Sequence, residues 1–134
     1  VGENNFLEGN VVKTEEGKIQ IELRGGLLVS GSDKSKKEGE RVVLAVRPEA
    51  FTIEKGHKKR INSLFGAVER VRYEGTNIRY EVRLENEDVV VVVRPSLMEE
   101  WFSTGDKVTV SFPSEKSYVF PYPLRGLREE LAVE

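Results

Sequence analysis

The chain contains no cysteine, and histidine, methionine and tryptophan each occur once among its 134 residues. Without cysteine, neither a disulfide framework nor a thiolate metal site can form. A lone His57, with no Gly-x-Ser-x-Gly sequence, leaves zinc and nucleophilic chemistry without the residues they need. No Gly-x-x-x-x-Gly-Lys-Ser/Thr loop is present to hold the phosphates of ATP. We therefore expect no enzymatic activity from this chain, and no cofactor or metal.

Two further classes lack their usual signals. No run approaches the roughly 18 apolar residues of a membrane span, and the first residues lack the basic and apolar regions of a signal peptide. The formal net charge of −2 provides no basic surface for wrapping nucleic acid. We expect a soluble, cytoplasmic protein that does not bind nucleic acid.

Short segments of alternating polarity dominate what is present. Residues 18–23 and 78–84 place Ile, Leu, Val or Tyr on one face and charged or polar side chains on the other, which is typical of half-buried strands. Gly17 and Gly75 lie in the turns before these segments, as in β-hairpins. Residues 42–46 and the five valines 89–93 are apolar throughout, so we predict strands covered on both faces. The pattern indicates an all-β fold.

The sequence also repeats itself. Asn-x-Leu-x-Gly-x-Val occurs at residues 5–11 and again at 62–68. Each copy is followed by a Gly-acid pair, at Gly39 and at Gly105, and by a strand that ends near a proline. The second copy is nine residues longer inside. For that extra length we predict one short helix over residues 97–102, capped by Ser96, with Trp101 covering one end of a barrel.

Short strands at regular spacing, hairpin turns and a helix before the last strands favour small barrels of the oligonucleotide/oligosaccharide-binding (OB) type. We predict two such barrels that share a core. The first unit spans residues 1–60 and the second 61–120. Residues 121–134 form a C-terminal tail, in which leucines at 124, 127 and 131 match one helical stripe.

Three motifs resemble a known family. They are Val-Gly-Glu-Asn-Asn-Phe-Leu-Glu-Gly at residues 1–9, Val-Arg-Pro-Glu at 46–49, and the second Asn-x-Leu-x-Gly-x-Val at 62–68. In this order they resemble the transport-associated OB domain (TOBE, or MOP-like) at the C-terminal end of the ATP-hydrolysing subunits of ABC importers. The resemblance covers residues 1–120 and leaves the tail unmatched.

The resemblance implies a non-catalytic regulatory and dimer-stabilising domain for the import of a sugar, a polyamine, or a metal or oxyanion. Its implied partners are an upstream nucleotide-binding domain of the same subunit, which would hold ATP and Mg²⁺, and a second copy of the subunit. Contact with the transmembrane permease subunits would be indirect. The assembled transporter would place the domain in the cytoplasm, peripheral to the inner face of the membrane.

Two sets of residues are candidate sites. Arg47 and Glu49 flank a proline corner, where they either close the turn as an ion pair or contact the upstream domain. Lys58, Lys59 and Arg60 are adjacent cations that attract oxyanions or acidic headgroups, or else form a solvated linker.

Two further functions stay open beside the regulatory one. The first is a barrel that senses an oxyanion or a sugar. Related oxyanion-binding barrels use a Ser before the Asn-x-Leu-x-Gly opening and a Lys near the last strand, where this chain has Lys59 and Phe112-Pro113. We therefore expect the fold without its small-anion site. The second is binding of single-stranded nucleic acid, which rests on analogy of fold alone and is disfavoured by the charge.

Overall fold

The computed structural model describes residues 2–33, 35–97 and 100–123. These residues form an all-β fold, as the sequence predicts. Its ten strands are β1 (Asn5–Glu15), β2 (Lys18–Leu23), β3 (Leu28–Ser32), β4 (Arg41–Val46), β5 (Thr52–Lys55), β6 (Ser63–Glu74), β7 (Asn77–Leu84), β8 (Val89–Pro95), β9 (Lys107–Ser111) and β10 (Ser117–Pro121). Single 3₁₀ turns cover Arg24–Gly26, Pro48–Ala50 and Ser114–Lys116. No helix in these described ranges is long and apolar enough to span a bilayer.

The strands form two antiparallel sheets of five strands each. Sheet A has the order β10-β4-β1-β2-β3, and sheet B has the order β5-β9-β6-β7-β8. Strand β5 thus comes from the first half of the sequence but pairs in sheet B, while β10 comes from the second half but pairs in sheet A. Each half of the chain gives its last strand to the other, so backbone hydrogen bonds join the two halves.

The repeat seen in the sequence is also a repeat of hydrogen bonds. The Gly39 N–H donates to the Val11 carbonyl at 2.7 Å, and the Gly105 N–H donates to the Val68 carbonyl at 2.8 Å. Both bonds lie beside an irregularity in register, one in β1 and one in β6. The 3₁₀ turns at Pro48–Ala50 and Ser114–Lys116 likewise occupy equivalent places before β5 and β10. The shared sequence register therefore reflects two copies of one backbone plan.

The glycine of each Asn-x-Leu-x-Gly-x-Val motif lies where two strands approach closely. A Cβ added to Gly66 would lie 2.3 Å from the Arg83 carbonyl oxygen, and one added to Gly9 would lie 2.7 Å from that of Glu22. Any larger residue would push β7 or β2 away. Glycine at these places lets the sheets coil tightly enough to curve around their cores.

The core is continuous between the two sheets. Leu44 and Val46 of β4 are fully buried, as predicted for this strand. Phe51 and Phe112 are also buried and meet edge to face, with ring centroids 5.5 Å apart. One ring follows β4 and the other follows β9, so this aromatic pair packs the two halves together.

Two asparagines link the sheets through side chains. Asn5, at the start of β1 in sheet A, accepts from the Val91 N–H at 2.7 Å and donates to the Val91 carbonyl at 2.8 Å. Asn62, just before β6 of sheet B, accepts from the Ser30 N–H at 2.7 Å and donates to the Ser30 carbonyl at 3.0 Å. Both asparagines are 7% exposed. We call these contacts the asparagine clamps, because each binds the edge strand of the opposite sheet.

The prediction that the five valines are covered on both faces is wrong. Strand β8 lies at the edge of sheet B, where Val90 and Val92 are fully buried but Val89 is 41% exposed. Val91 and Val93 are half-buried and point away from the core. An open edge normally invites pairing with another chain. Here the Asn5 clamp occupies both backbone groups of Val91, which protects the edge.

The segment predicted as a short helix is not helical in its described part. Ser96 and Leu97 form a turn, Glu100–Phe102 has no regular structure, and residues 98–99 lie outside the described ranges. The Ser96 N–H donates to the Thr76 carbonyl at 2.7 Å, so the hairpin pairing of β7 and β8 continues one residue beyond Pro95.

Trp101 does not cover a barrel end as predicted. Its side chain is 60% exposed, and its indole N–H donates to the Ser96 carbonyl at 3.0 Å. The buried neighbour is Phe102, which is 4% exposed and packs edge to face on Tyr80. Strand β3 also extends to Ser32, although the polar composition of residues 30–39 predicts a mobile loop. The predicted leucine stripe of the tail lies outside the described residues.

Replacing Asn5 or Asn62 by alanine should lower the free energy of unfolding by about 1–3 kcal/mol, because each change leaves a buried backbone N–H and carbonyl without partners. Asn10→Ala is the matched control, since Asn10 is an exposed residue of β1. Urea denaturation measures all three variants. Equal midpoints for Asn5→Ala and Asn10→Ala would contradict the clamp.

The alternation of β8 makes neighbouring valines unequal. Val90→Ala should destabilise the protein by about 2–3 kcal/mol through lost apolar burial and a cavity, whereas Val89→Ala should change stability by less than about 0.5 kcal/mol. Thermal or urea unfolding of the two variants tests this register. A larger loss for Val89→Ala than for Val90→Ala would reverse it.

Candidate functional site

The connection between the two halves lies on sheet B. Residues 56–62 join β5 to β6, and these strands flank β9 on either side. Thr109 of β9 is completely buried, with its hydroxyl on the face of sheet B turned away from the core. That hydroxyl donates to the Gly56 carbonyl at 2.6 Å and accepts from the Lys58 N–H at 2.8 Å. The linker is therefore a fixed layer over β9 rather than a free tether.

The three candidate anion-binding cations lie in this linker. Arg60 forms a two-pronged ion pair with Glu54 of β5, at 2.6 and 2.9 Å. Hydrogen bonding to Arg60 lowers the pKa of the Glu54 carboxyl, and the same contact raises the pKa of Arg60. Lys58 and Lys59 are exposed, and neither pairs with a carboxylate in the described ranges. Arg60 is thus already engaged, and only the two lysines offer free charge.

The proline corner at Arg47 and Glu49 is open to solvent on its charged sides. Pro48 is buried, whereas Arg47 and Glu49 are exposed. The turn is closed by the Ala50 N–H, which donates to the Arg47 carbonyl at 3.0 Å. The Arg47 guanidinium lies against the backbone of Gly2, where an added Cβ would come within 2.0 Å of its Nη1. Within the described residues Arg47 and Glu49 form no ion pair, so the backbone and not a salt bridge closes this corner.

Equivalent open grooves lie beside the two close-approach glycines. The groove beside Gly9 has a volume of about 490 Å³ and is lined by side chains of both charges, including Glu22 and Arg41. The groove beside Gly66 has a volume of about 480 Å³ and includes Lys107. There His57 stacks on Phe65, with ring centroids 3.4 Å apart. His57 is therefore an exposed stacked side chain at the groove wall.

The groove beside Gly66 also holds an ion pair across the sheet. Arg83 of β7 binds both carboxylate oxygens of Glu69 on β6. Hydrogen bonding to Arg83 lowers the pKa of Glu69. Since these two charges satisfy one another, the groove offers a stacked ring pair, Lys107 and the exposed carboxylate of Glu85. No cluster of metal-binding side chains occurs in the part of the chain that the structure describes.

The positions that would hold a small oxyanion in related barrels carry other chemistry. Phe112 is 2% exposed and packs against Phe51 in the core. Lys59 lies on the exposed linker. A buried aromatic ring cannot donate a hydrogen bond to an anion.

Comparison with known proteins establishes the family. Residues 44–120, more than half of the chain, match the model of the TOBE domain. The chain belongs to the TOBE domain family. It is 30% identical over 121 residues to the spermidine/putrescine import ATP-binding protein PotA of Ruegeria pomeroyi, a match covering 89% of the chain and 32% of the relative. PotA of Thermotoga maritima is 27% identical over 127 residues, covering 89% of the chain and 34% of that relative. The chain thus spans about a third of the length of these relatives.

A solved structure supports the fold of this TOBE domain. The cytoplasmic molybdate-binding protein ModG, with molybdate bound, aligns with a TM-score of 0.79 over 87% of this chain and 95% of its own. The sequence identity is 16%, so this likeness concerns the fold alone. A TOBE domain is a non-catalytic module, in agreement with the catalytic motifs missing from the sequence.

Sequence reasoning missed one residue that shapes this region. Thr109 holds the linker, yet in the sequence it is an ordinary threonine within the alternating strand Val108-Thr109-Val110. One signal was available. Its equivalent in the first copy is Val43, so a hydroxyl appears in only one of two matched strands.

Thr109→Val keeps the side-chain shape but removes the hydroxyl from both linker hydrogen bonds. We expect a loss of about 1–3 kcal/mol in the free energy of unfolding and faster amide exchange at Lys58. Arg60→Ala is the control on the same linker, and because its ion pair is exposed we expect it to leave stability nearly unchanged. Amide exchange of Lys58 at the wild-type rate in Thr109→Val would contradict the role of this hydroxyl.

Proposed function

We propose that this TOBE domain is the non-catalytic, regulatory and dimer-stabilising C-terminal domain of an ATP-binding subunit of an ABC importer. The observation that carries the proposal is the match along 89% of the chain to one third of a PotA import protein. Polyamines are the solute class that these relatives name, and we extend it to this chain. The two halves form one hydrogen-bonded body, which suits a module that transmits movement between larger domains or fixes their relative positions.

The partners follow from this role. An upstream nucleotide-binding domain of the same subunit holds ATP and Mg²⁺, a second copy of the subunit completes the dimer, and the permease subunits are contacted indirectly. The domain then works in the cytoplasm at the inner face of the membrane. This chain itself holds no cofactor and binds no nucleic acid.

The exposed corner is our candidate for contact with the upstream domain. Arg47 packs on Gly2, and Glu49 is exposed on the same 3₁₀ turn. Lys58 and Lys59 remain the candidates for binding an anion, with Arg60 as a structural member of the linker. Replacing Arg47 with alanine in the longer subunit should weaken the contact between this domain and the nucleotide-binding domain. The change should not unfold this domain.

The role is tested with the chain alone and with a subunit that includes the nucleotide-binding domain. The chain alone should hydrolyse no ATP above the buffer rate. Deleting this domain from the longer subunit should leave nucleotide binding intact but weaken the ATP-dependent dimer and spermidine uptake in reconstituted vesicles. ATP turnover by the chain alone, or full uptake after the deletion, would refute the proposal.

A second candidate is a ligand-sensing barrel, which the groove beside Gly66 favours by its size and its stacked His57 and Phe65. Effector control requires a ligand that binds two states of the protein with different affinity. Titration calorimetry with molybdate, tungstate, sulfate, maltose and spermidine separates the two candidates. A heat of binding with any of these ligands that is lost in Phe65→Ala would favour the ligand-sensing function. If none of the ligands gives a heat of binding, that function is excluded.

A further inference from the structure

Strands β5, β7 and β8 border a third groove, which the proposed function does not use. Its volume is about 420 Å³, toward the lower end of the roughly 300–1,000 Å³ of ligand pockets. The segment after β8 completes its lining. The lining combines apolar side chains with a cation, a phenol and a carboxylate, from Ile53, Pro95, Phe102, Arg94, Tyr80 and Glu100. We call this groove the Arg94 pocket.

Arg94 of β8 brings a positive charge to the pocket. Its side chain is half-buried, and an N–H of its Nη1 donates to the Phe51 carbonyl at 3.3 Å. On the neighbouring strand β7, Arg79 and Arg83 are each held by a glutamate. Arg94 has no carboxylate within ion-pair distance in the described ranges. Since a guanidinium has five N–H donors, most of its hydrogen-bonding capacity is left for an anionic ligand.

Tyr80 of β7 supplies a second donor. It occupies the place that Ile19 has in sheet A, because both precede by four residues the leucine that pairs with a close-approach glycine. The side chain is 1% exposed, and its oxygen accepts from the Phe102 N–H at 3.3 Å. Burial raises the pKa of Tyr80, so the hydroxyl keeps its proton at neutral pH. That proton has no acceptor among the described residues, and a ligand oxygen would supply one.

We propose that the Arg94 pocket binds a small organic molecule that has one carboxylate and an apolar body. The planar guanidinium of Arg94 matches a carboxylate through two parallel hydrogen bonds, and the Tyr80 hydroxyl donates to the same group. Ile53 and Phe102 then pack against the apolar body. This site is separate from the groove beside Gly66 and does not depend on the importer role.

The rest of the lining disfavours other ligands. Sulfate or molybdate would place oxygens against apolar side chains without hydrogen-bond partners. A polyamine would be repelled by Arg94, and the exposed Glu100 would repel the second charge of a dicarboxylate. The Thr52 hydroxyl, which also borders the pocket, is already bonded to that of Ser111 at 2.7 Å. A monocarboxylate therefore fits the pocket better than an inorganic oxyanion, a polyamine or a sugar.

The single tryptophan of this chain makes binding measurable. Trp101 directly precedes Phe102 of the lining, so its fluorescence reports on the pocket. Phenylacetate and 4-methylpentanoate are the probes, and 2-phenylacetamide is the control with the same shape and no charge. We expect saturable binding of at least one acid, and at least tenfold weaker binding of the amide than of phenylacetate. Backbone NMR shifts at Tyr80 and Arg94 locate the site.

Variants separate the two donors. Arg94→Gln should weaken binding of the acids at least tenfold, and Arg94→Lys, which keeps the charge but loses the parallel bonds, should have an intermediate effect. Tyr80→Phe should weaken binding about three- to tenfold. Arg72→Gln, an exposed change outside the lining, is the matched control and should leave affinity unchanged. Circular dichroism checks that each variant folds.

Three results would overturn the proposal. They are no binding of either acid at about 10 mM, equal affinity for phenylacetate and its amide, and wild-type affinity in folded Arg94→Gln. Each would show that Arg94 does not recognise a carboxylate in this pocket. The assay uses neither ATP nor transport, so its failure is distinct from a failure of the proposed function.

Discussion

The fold depends on a reciprocal contact between its two halves. An asparagine at the entrance of each copy reaches across to the edge strand of the opposite sheet and binds one residue's N–H and carbonyl together, at Val91 for Asn5 and at Ser30 for Asn62. Both amides are almost completely buried, where an unmade hydrogen bond is costly. These contacts set the position of one sheet on the other and also protect two strand edges.

The exchange of β5 and β10 acts with the clamps. Since each sheet includes a strand from the other half, neither half can complete its sheet alone, and Phe51 packs on Phe112 at the junction. A body joined by backbone, amide and aromatic contacts resists movement between its halves. This suits a TOBE domain that positions larger partners better than one that opens around a solute. The outer faces of the two sheets differ, because residues 56–62 are held over sheet B by the Thr109 hydroxyl.

Much of this fold was predictable from the sequence. Alternating polarity predicts most of the strands. The repeated Asn-x-Leu-x-Gly-x-Val motif contains both clamp asparagines and both close-approach glycines, because the same backbone plan requires the same side chains twice. The exchange of last strands was not predictable, since pairing between distant segments leaves no trace in local polarity. The prediction that both faces of the five-valine strand are covered was wrong because composition does not determine the order of strands in a sheet. An edge strand can be protected instead by one distant amide side chain. For the candidate site, the linker was recognised, but the role of Thr109 and the engagement of Arg60 by Glu54 depend on which strands flank β9.

Fragment complementation tests most directly the claim that the two halves form one body. Residues 1–60 and 61–134 would be produced separately and then mixed, with folding followed by circular dichroism and amide exchange. If the two halves form one body, each fragment alone will lack protected amides, and the mixture will recover protection at Val91 and Ser30 together. A fragment that folds alone with protected amides in β1 or β6 would contradict it, because the exchanged strand and the clamp would then be dispensable.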